Sequence, residues 1–259
     1  MPHLAANLTM MFNEGSFLDR FGLAAAGGFK AVEYMFPYDY ESGALRQKLE
    51  QHGLVQILHN LPAGNWGAGD RGIACLPNRV TEFEAGVDKA IQYAHALGCK
   101  QLNCLAGIRP VKLDVETAHK TFVRNLQYAS RRLETAGIKL LIEPVNTRDI
   151  PGFFLSHTSQ AIEIMDEVES GNLFLQYDVY HMQVMEGDLA PTIERLLPRI
   201  AHIQVADTPG RHEPGTGEIN YSFLFDFIDR LGYQGWIGCE YKPATTTEAG
   251  LGWTGPYLG

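Results

Sequence analysis

The chain has 259 residues, of which 45% are hydrophobic and 20% are charged, and its formal net charge is −9. A chain this long and this apolar can bury a core, which excludes an intrinsically disordered protein. The acidic balance argues against a nucleic-acid partner, whose binding protein would carry a basic surface. It leaves a small anionic substrate open, provided that cationic side chains cluster locally.

The chain also lacks the signals of a membrane or secreted protein. No apolar run approaches the roughly 18 residues needed to span a bilayer, and no basic residue precedes Arg20, as a signal peptide would require. Four scattered cysteines (Cys75, Cys99, Cys104 and Cys239) do not make a disulfide framework. We therefore expect a cytoplasmic protein without membrane contacts, with Cys104 and Cys239 as core residues.

Short apolar runs rich in β-branched residues alternate with longer runs of helical periodicity. Strands are predicted at residues 4–8, 31–35, 55–59, 101–105, 139–143, 174–178, 202–206 and 236–241. Helices are predicted at residues 17–26, 41–52, 81–97, 116–136, 158–168, 189–197 and 221–231, with a short one after residue 247. Several strands are continuously apolar, which is typical of parallel strands buried on both faces.

This alternation predicts an α/β protein, a single (β/α)8 TIM barrel spanning residues 1–259 as one domain. Eight strands in this length give roughly 32 residues per βα unit, which matches that barrel. A doubly wound sheet would carry a glycine-rich fingerprint after its first strand, and residues 7–9 contain no glycine. No P-loop is present either, so we expect no nucleotide cofactor.

Polar residues lie where the last four predicted strands end, the edge at which a TIM barrel builds its active site. These residues are Glu143, Asp178, Gln204 and Glu240. An acid at the end of an apolar strand is costly to bury unless it is paired or bound to a metal. We predict that the four converge as ligands of a divalent metal, with a structural salt-bridge network as the alternative. All-oxygen ligands favour Mg²⁺ or Mn²⁺ over zinc.

Two histidines are candidates for catalysis or for orienting a substrate. His181 follows Asp178 in a D-x-x-H element, where the acid would tune the charge of the imidazole. His59 ends the third predicted strand. The alternative for each is a structural histidine with a hydrogen-bonded ring, which is what we expect of His202 in mid-strand.

Two long loops supply candidate substrate-binding residues. Residues 61–79 form a glycine-rich loop that contains Trp66 and Arg71, and residues 208–220 contain Arg211. Loops this long in a compact domain are usually functional or disordered. An arginine there can hold a carboxylate through two parallel hydrogen bonds, or it can be solvated on a mobile surface. Lys242 follows Glu240 and is either an anion contact or a surface lysine.

Two glutamates on opposite sides of a metal suit one kind of chemistry. The metal chelates a carbonyl and an adjacent hydroxyl and stabilises an enediolate. One carboxylate removes a proton from carbon, and a second group returns it to the neighbouring carbon. The pattern therefore indicates an aldose–ketose type isomerisation or an epimerisation of a small hydroxy-keto compound.

Long motifs carry a resemblance to a known family. They are AANLTMMF, VEYMFPYDY, LHNLPAGNWGAGDRGIACLP, LLIEPVN, QYDVYHMQ, HIQVADTPGRHEPGTGEINY and GWIGCEYKPATTTEAGLGW. Together they resemble the hydroxypyruvate isomerase family, within the xylose-isomerase-like barrels, over essentially the whole chain. The resemblance implies that Glu143 and Glu240 shuttle protons between hydroxypyruvate and 2-hydroxy-3-oxopropanoate in glyoxylate metabolism. It also implies metal ligation by Glu143, Asp178, Gln204 and Glu240, with His181 and Arg211 at the site.

Other activities stay open. Several related epimerases have histidine at the position of Gln204, so this glutamine puts tight, zinc-like metal binding in doubt. 2-Oxotetronate isomerase shares several of the motifs and is the nearest alternative, followed by a ketose 3-epimerase. A metal-dependent apurinic endonuclease of the superfamily would need more histidine ligands and a basic surface. A non-catalytic sugar-acid-binding protein would not need two facing glutamates. Barrels of this kind often form dimers or tetramers, so a homo-oligomer is one expectation.

Overall fold

Eight parallel strands pair in sequence order and close on themselves, because the first strand also pairs with the last. The computed structural model describes residues 2–258. The strands are β1 (His3–Asn7), β2 (Ala31–Glu33), β3 (Val55–Asn60), β4 (Gln101–Cys104), β5 (Lys139–Ile142), β6 (Leu173–Asp178), β7 (Ile200–Val205) and β8 (Trp236–Cys239). This closed barrel confirms the predicted (β/α)8 fold. The prediction of one domain over residues 1–259 includes Met1 and Gly259, which lie outside the described residues, and it stays a prediction.

Helices connect the strands around the outside of the barrel. They are α1 (Arg20–Ala26), α2 (Ser42–His52), α3 (Val80–Leu97), α4 (Val115–Thr135), α5 (Thr158–Val168), α6 (Val179–Met185), α7 (Leu189–Leu196) and α8 (Tyr221–Arg230). Short 3₁₀ helices occur at Trp66–Ala68, Pro77–Arg79, Leu197–Arg199 and Glu248–Thr254. No helix in residues 2–258 is both long and apolar enough to cross a membrane.

Local signals explain where helices begin and end. Gly53 and Gly98 follow α2 and α3 with φ of 62° and 70°, a left-handed conformation that costs glycine little. Asp114 caps α4 by accepting a hydrogen bond from the Thr117 N–H at 2.9 Å. Asp178 caps α6 in the same way, accepting from the Tyr180 N–H at 2.8 Å. Oδ1 of Asp178, a predicted site residue, therefore stabilises the start of α6.

The core is divided between two regions. The larger one fills the space between strands and helices, and it includes Cys104 and Cys239, which confirms their expected place. The smaller one includes Ala5, Ala31 and Leu141, and each of them precedes by two residues a buried polar side chain on the same face of the chain (Asn7, Glu33 and Glu143). The polar side chains therefore lie nearer the carboxyl ends of the strands than these apolar ones.

Candidate active site

A cavity opens at the carboxyl ends of the strands, where the sequence predicts the functional residues. Its volume is about 90 Å³. At roughly 15 Å³ for each water-sized group, it has room for about six such groups, the size of a small organic acid. Its lining combines carboxylates, amides, two arginines and one histidine with apolar and aromatic side chains.

Glu143 and Glu240 line this cavity, and Asp178 lies fully buried beside them. Asp178 ends β6, and Glu143 and Glu240 directly follow β5 and β8. His181, in the first turn of α6, places Nε2 3.5 Å from Asp178 Oδ2 and 3.8 Å from Glu143 Oε1. Ligand atoms of Glu143, Asp178 and His181 all lie within 4.8 Å of one another, so this buried group is able to hold a metal ion.

Burial changes the protonation of these acids. Burial raises the pKa of Glu143 well above its usual range, and the charges of Glu240 and Asp178 raise it further. Burial also raises the pKa of Asp178, against the opposing charge of Arg211. The pKa of Glu240 rises to about 8 for the same reason, again with Arg211 acting against the shift. The three carboxyl groups therefore all hold their protons more tightly than exposed acids, and the charge of each affects the ionisation of its neighbours.

Arg211 supplies the positive charge among the acids. Its Nη2 lies 3.4 Å from both Asp178 Oδ2 and Glu240 Oε2, and its guanidinium lies 5.1 Å from the centre of the Tyr180 ring. Burial acts to lower the pKa of Arg211, but the three acids raise it more. Its backbone has a left-handed φ of 59°, and its carbonyl accepts a hydrogen bond from the Lys242 N–H at 2.8 Å. The loop therefore presents a fixed cation to the cavity.

His181 faces the same charges as a neutral imidazole. The ring is almost completely buried and lines the cavity. Burial lowers its pKa well below the usual range, and the positive charge of Arg211 lowers it further. At neutral pH the ring therefore offers one hydrogen-bond donor and one acceptor.

Below the acids, a polar network built around Glu33 orients Gln204. Glu33, the last residue of β2, accepts hydrogen bonds from three side chains: Asn7 at 2.9 Å, His202 at 2.7 Å and Gln204 Nε2 at 2.7 Å. Because the Glu33 carboxylate accepts from the Gln204 nitrogen, the Gln204 oxygen lies on the side away from Glu33. There it accepts a hydrogen bond from Gln176 Nε2 at 2.6 Å. A carbonyl oxygen has a second lone pair, so Gln204 retains one for a cation.

The long loop after β3 brings Arg71 and Trp66 to the cavity wall. The Arg71 guanidinium lies 4.2 Å from the centre of the Trp66 ring. Its Nη1 donates to the carbonyls of Trp66 at 3.1 Å and Asp70 at 2.7 Å. Gly72 fixes the next position by pairing closely with Ala106, since a Cβ on Gly72 would meet the Leu105 carbonyl oxygen at 2.4 Å. The predicted arginine is thus held in place rather than solvated on a mobile surface.

The structure does not bring His59 to the cavity. Its neighbours Leu58 and Asn60 line the cavity, whereas the His59 ring lies on the other face of β3, with Nδ1 3.3 Å from Tyr38 Oη. Burial lowers the pKa of His59 to about 4. Alternate side chains of a strand point to opposite faces, so His59 points away from the cavity that Leu58 and Asn60 line. It therefore fits the alternative of a structural histidine with a hydrogen-bonded ring.

The Lys242 side chain is exposed and lies outside the cavity lining. Its backbone contacts the loop of Arg211: the Lys242 N–H donates to the Arg211 carbonyl at 2.8 Å, and the Lys242 carbonyl lies 2.8 Å from His212 Nδ1.

The side-chain amides of the site were not predicted. Asn103 donates to Glu143 Oε2 at 2.8 Å, and Asn60 lines the cavity. The signal was present, because both asparagines lie near the ends of predicted strands.

Comparison with known proteins assigns the family. Residues 21–257 match the family model described as a xylose isomerase-like TIM barrel. The chain is 54% identical over 257 residues to the hydroxypyruvate isomerase of Escherichia coli, covering 99% of this chain and 100% of that one. It is 48% identical over 259 residues to a 2-oxo-tetronate isomerase of Cupriavidus necator, covering both chains fully.

A solved structure agrees with the fold in detail. The chain superimposes with a TM-score of 0.97 on a Brucella melitensis protein described as an AP endonuclease of family 2, at 46% identity and 99% coverage of both chains. The chain belongs to the xylose isomerase-like TIM barrel family. Together with the E. coli relative, the family match confirms the resemblance read from the sequence motifs.

Proposed function

We propose that the protein is an isomerase that interconverts hydroxypyruvate and 2-hydroxy-3-oxopropanoate. The observation that carries this proposal is that Glu143 and Glu240, two buried acids with raised pKa values, line one small cavity together with Arg211. The full-length similarity to a protein named hydroxypyruvate isomerase supports the same substrate.

The two glutamates act as a base and an acid. Because the charge of an ionised Glu240 disfavours ionisation of Glu143, the active form carries one ionised and one protonated glutamate. The ionised carboxylate removes a proton from C3 of hydroxypyruvate, which leaves an enediolate across C2 and C3. The protonated group delivers a proton to C2, and the hydroxyl proton on O3 moves to O2. The product is 2-hydroxy-3-oxopropanoate, and no electron leaves the substrate.

Cationic and donor groups around the acids orient the substrate. Arg211 is placed to stabilise the negative charge that develops on the enediolate oxygens. Arg71 is placed to bind the substrate carboxylate, with the Trp66 ring as its platform. His181 donates a hydrogen bond to a substrate oxygen. Each role rests on a side chain that lines the same cavity.

A divalent cation, Mg²⁺ or Mn²⁺, is part of the proposal. Its ligands would be Glu143, Asp178, Gln204 and Glu240. The fit rests on donor chemistry, since these are oxygen donors, the form that hard cations prefer, and Gln204 keeps one lone pair. When bound, the cation would withdraw electron density from the substrate oxygens and make the C–H bond more acidic.

A second candidate is the isomerisation of 2-oxotetronate, a four-carbon acid. The Cupriavidus necator relative of that name is 48% identical over its whole length. The two substrates differ by one CHOH group, which changes contacts in the loops and leaves the chemistry of the glutamates unchanged. The small cavity and the net charge of −9 favour a small acid of either kind over a nucleic-acid duplex.

A side-by-side assay in D₂O tests the proposal. Wild type, Glu143→Gln and Glu240→Gln would each be offered hydroxypyruvate and 2-oxotetronate with added Mg²⁺ or Mn²⁺. We expect turnover of hydroxypyruvate with deuterium entering the product at C2. Each glutamine variant should lose about 10²–10⁴-fold in rate, the usual contribution of a positioned acid or base.

Glu134→Gln is the matched control, because Glu134 is exposed on α4. This variant should turn over like wild type. Preference for the four-carbon acid would favour the second candidate. The absence of both turnover and exchange with either acid would refute the proposed chemistry.

A further inference from the structure

Asn146, in the loop after β5, touches the ring of His181 from behind the cavity. Its side chain is completely buried. Its Oδ1 accepts a hydrogen bond from the Asp149 N–H at 2.7 Å. A backbone N–H only donates, so the oxygen of this amide must lie on the side of Asp149. The orientation of the amide is thereby determined by its partners.

The nitrogen of the same amide uses both of its hydrogens. Nδ2 donates to Asp149 Oδ2 at 3.1 Å and to His181 Nδ1 at 2.7 Å. His181 Nδ1 therefore accepts a hydrogen bond and carries no proton. In a neutral imidazole one nitrogen is protonated and the other is not, so the proton of His181 lies on Nε2.

We propose that Asn146 is a positioning residue that holds His181 in the Nε2–H tautomer. In this form His181 donates a hydrogen bond into the cavity, to a hydroxyl or carbonyl oxygen of the substrate, and it does not bind a cation through Nε2. This deepens the proposed function and rests on it for the identity of the acceptor.

The geometry around Nε2 agrees with a donor. Nε2 lies 3.5 Å from Asp178 Oδ2 and 3.8 Å from Glu143 Oε1, distances longer than a normal N–H···O hydrogen bond to either acid. A substrate oxygen between these acids would complete the hydrogen bond. Of the three side chains able to meet at a metal ion, Glu143 and Asp178 would then bind the divalent cation, and His181 would bind the substrate.

Asp149 extends the same arrangement to Arg211. Besides fixing Asn146, its Oδ2 accepts a hydrogen bond from Tyr180 Oη at 2.7 Å. The Tyr180 ring in turn packs against the Arg211 guanidinium. One loop behind the cavity thus orients both the His181 imidazole and the Tyr180 ring against which the Arg211 guanidinium packs.

The tautomer can be measured directly by ¹⁵N NMR of histidine-labelled protein, with the His181→Gln variant to assign the signal. We expect wild-type His181 to show a protonated Nε2 and an unprotonated Nδ1. In Asn146→Asp the new carboxylate accepts from Nδ1–H, so the proton should move to Nδ1. In Asn146→Ala the two tautomers should both be populated.

Asn172→Asp is the matched control. The side-chain amide of Asn172 donates a hydrogen bond to the Ile138 carbonyl at 2.9 Å, and Asn172 lies just before β6, outside the cavity lining. The His181 signals of the Asn172→Asp variant should match those of wild type. The two Asn146 variants should lose about tenfold or more in kcat on hydroxypyruvate, part of the 10²–10⁴-fold that a positioned group supplies.

A wild-type spectrum that shows the His181 proton on Nδ1 would overturn the inference. This measurement uses wild-type protein alone, so it is decisive even if a variant does not fold. An unchanged tautomer in both Asn146 variants would overturn it as well. The spectra need no substrate, so they separate this inference from the proposed function. Expected spectra with no turnover of hydroxypyruvate would refute the proposed substrate and leave the positioning role of Asn146 supported.

Discussion

Glu240 Oε2 lies 3.4 Å from Arg211 Nη2, and the carboxyl group nevertheless has a pKa of about 8. Burial accounts for this, because removing a carboxylate from water disfavours its charged form by more than one cation at this distance restores. The nearby negative charges of Asp178 and Glu33 act in the same direction. A glutamate in this state is able to give up and take back a proton near neutral pH.

This protonation predicts how stability depends on pH in protein kept in a chelator. Folded Glu240 keeps its proton up to about pH 8, whereas an unfolded glutamate releases it near pH 4.5. Between these values the folded state binds more protons, so the free energy of unfolding should fall as pH rises. The slope approaches about 1.4 kcal/mol per pH unit for each proton. Urea unfolding at half-unit steps measures it.

The predicted fall in the free energy of unfolding should be clearest between about pH 6.5 and about pH 8. Below pH 6.5 the lowered pKa of His181 acts in the opposite sense, since the unfolded imidazole then binds the extra proton. Glu240→Gln should flatten the slope within the window, and the exposed Glu134→Gln should retain it. A wild-type slope in Glu240→Gln would show that other groups release the protons.

Removing the charge of Arg211 should impair both catalysis and the acids beside it. In Arg211→Gln, Asp178 and Glu240 lose their nearest cation. We expect kcat/KM on hydroxypyruvate to fall by about 10²–10³-fold, the usual loss for one donor at a developing anion. Arg211→Lys should recover part of the loss, because it restores the charge but not the fork of donors.

Arg230→Gln is the control for this experiment. Arg230 is exposed at the end of α8 and packs over the Phe227 ring, so its loss should leave the kinetics unchanged. Steady-state rates of the four proteins give the comparison. An Arg211→Gln enzyme as fast as wild type would exclude the arginine from the chemistry.

Arg71 should matter for acids and not for neutral analogues. If Arg71 binds the substrate carboxylate, Arg71→Gln removes a charged hydrogen bond worth about 1.5–3 kcal/mol, or roughly 10- to 150-fold in kcat/KM. The loss should appear mainly as a higher KM for hydroxypyruvate. Dihydroxyacetone has a hydroxymethyl group in place of the carboxylate and serves as the neutral comparison. An equal loss on both compounds would assign Arg71 a structural role.

Gly238 in β8 should not tolerate a side chain. A Cβ there would lie 2.4 Å from both carboxylate oxygens of Glu33. Gly238→Ala should therefore displace Glu33 from Gln204 and His202 and reduce the free energy of unfolding by about 1–3 kcal/mol, the usual cost of overpacking a core. Urea unfolding provides the measurement. Gly252→Ala, where nothing lies within 4 Å of the added carbon, should unfold like wild type.

The barrel itself could be predicted because each βα unit repeats the same local signals. The helix at residues 158–168 has the same bounds in the structure, since its apolar positions recur with helical spacing. Helix α6 (Val179–Met185) was not predicted as a separate element. Its first four residues are all buried, so it lacks the polar face that reveals a surface helix.

For the candidate site, strand ends were informative and side-chain directions were not. Glu143, Asp178 and Glu240 come together because the carboxyl ends of parallel strands meet at one edge. His59 faces away from the cavity. The pairing of β2 with β3 shifts register between Val32 and Glu33, and such a bulge changes which side chains of a strand face inward. No periodicity in the sequence reveals that shift.

The amides of the site were missed for a different reason. Asn103 and Asn146 are uncharged, and asparagines are common at the ends of secondary-structure elements. Their roles follow from their partners, the carboxylate of Glu143 and the ring of His181. Those partners are distant in sequence, so a position near a strand end could suggest an amide of the site, but only the folded arrangement shows what it binds.

The loop that carries Arg211 forms hydrogen bonds with main-chain groups of Lys242, just after β8. Every amino acid carries these groups, apart from the missing N–H of proline. Any residue except proline can therefore replace Lys242 among relatives without moving the Arg211 guanidinium. The identity of this exposed side chain is thus independent of the chemistry beneath it, so position 242 can vary without any change to the geometry of the site.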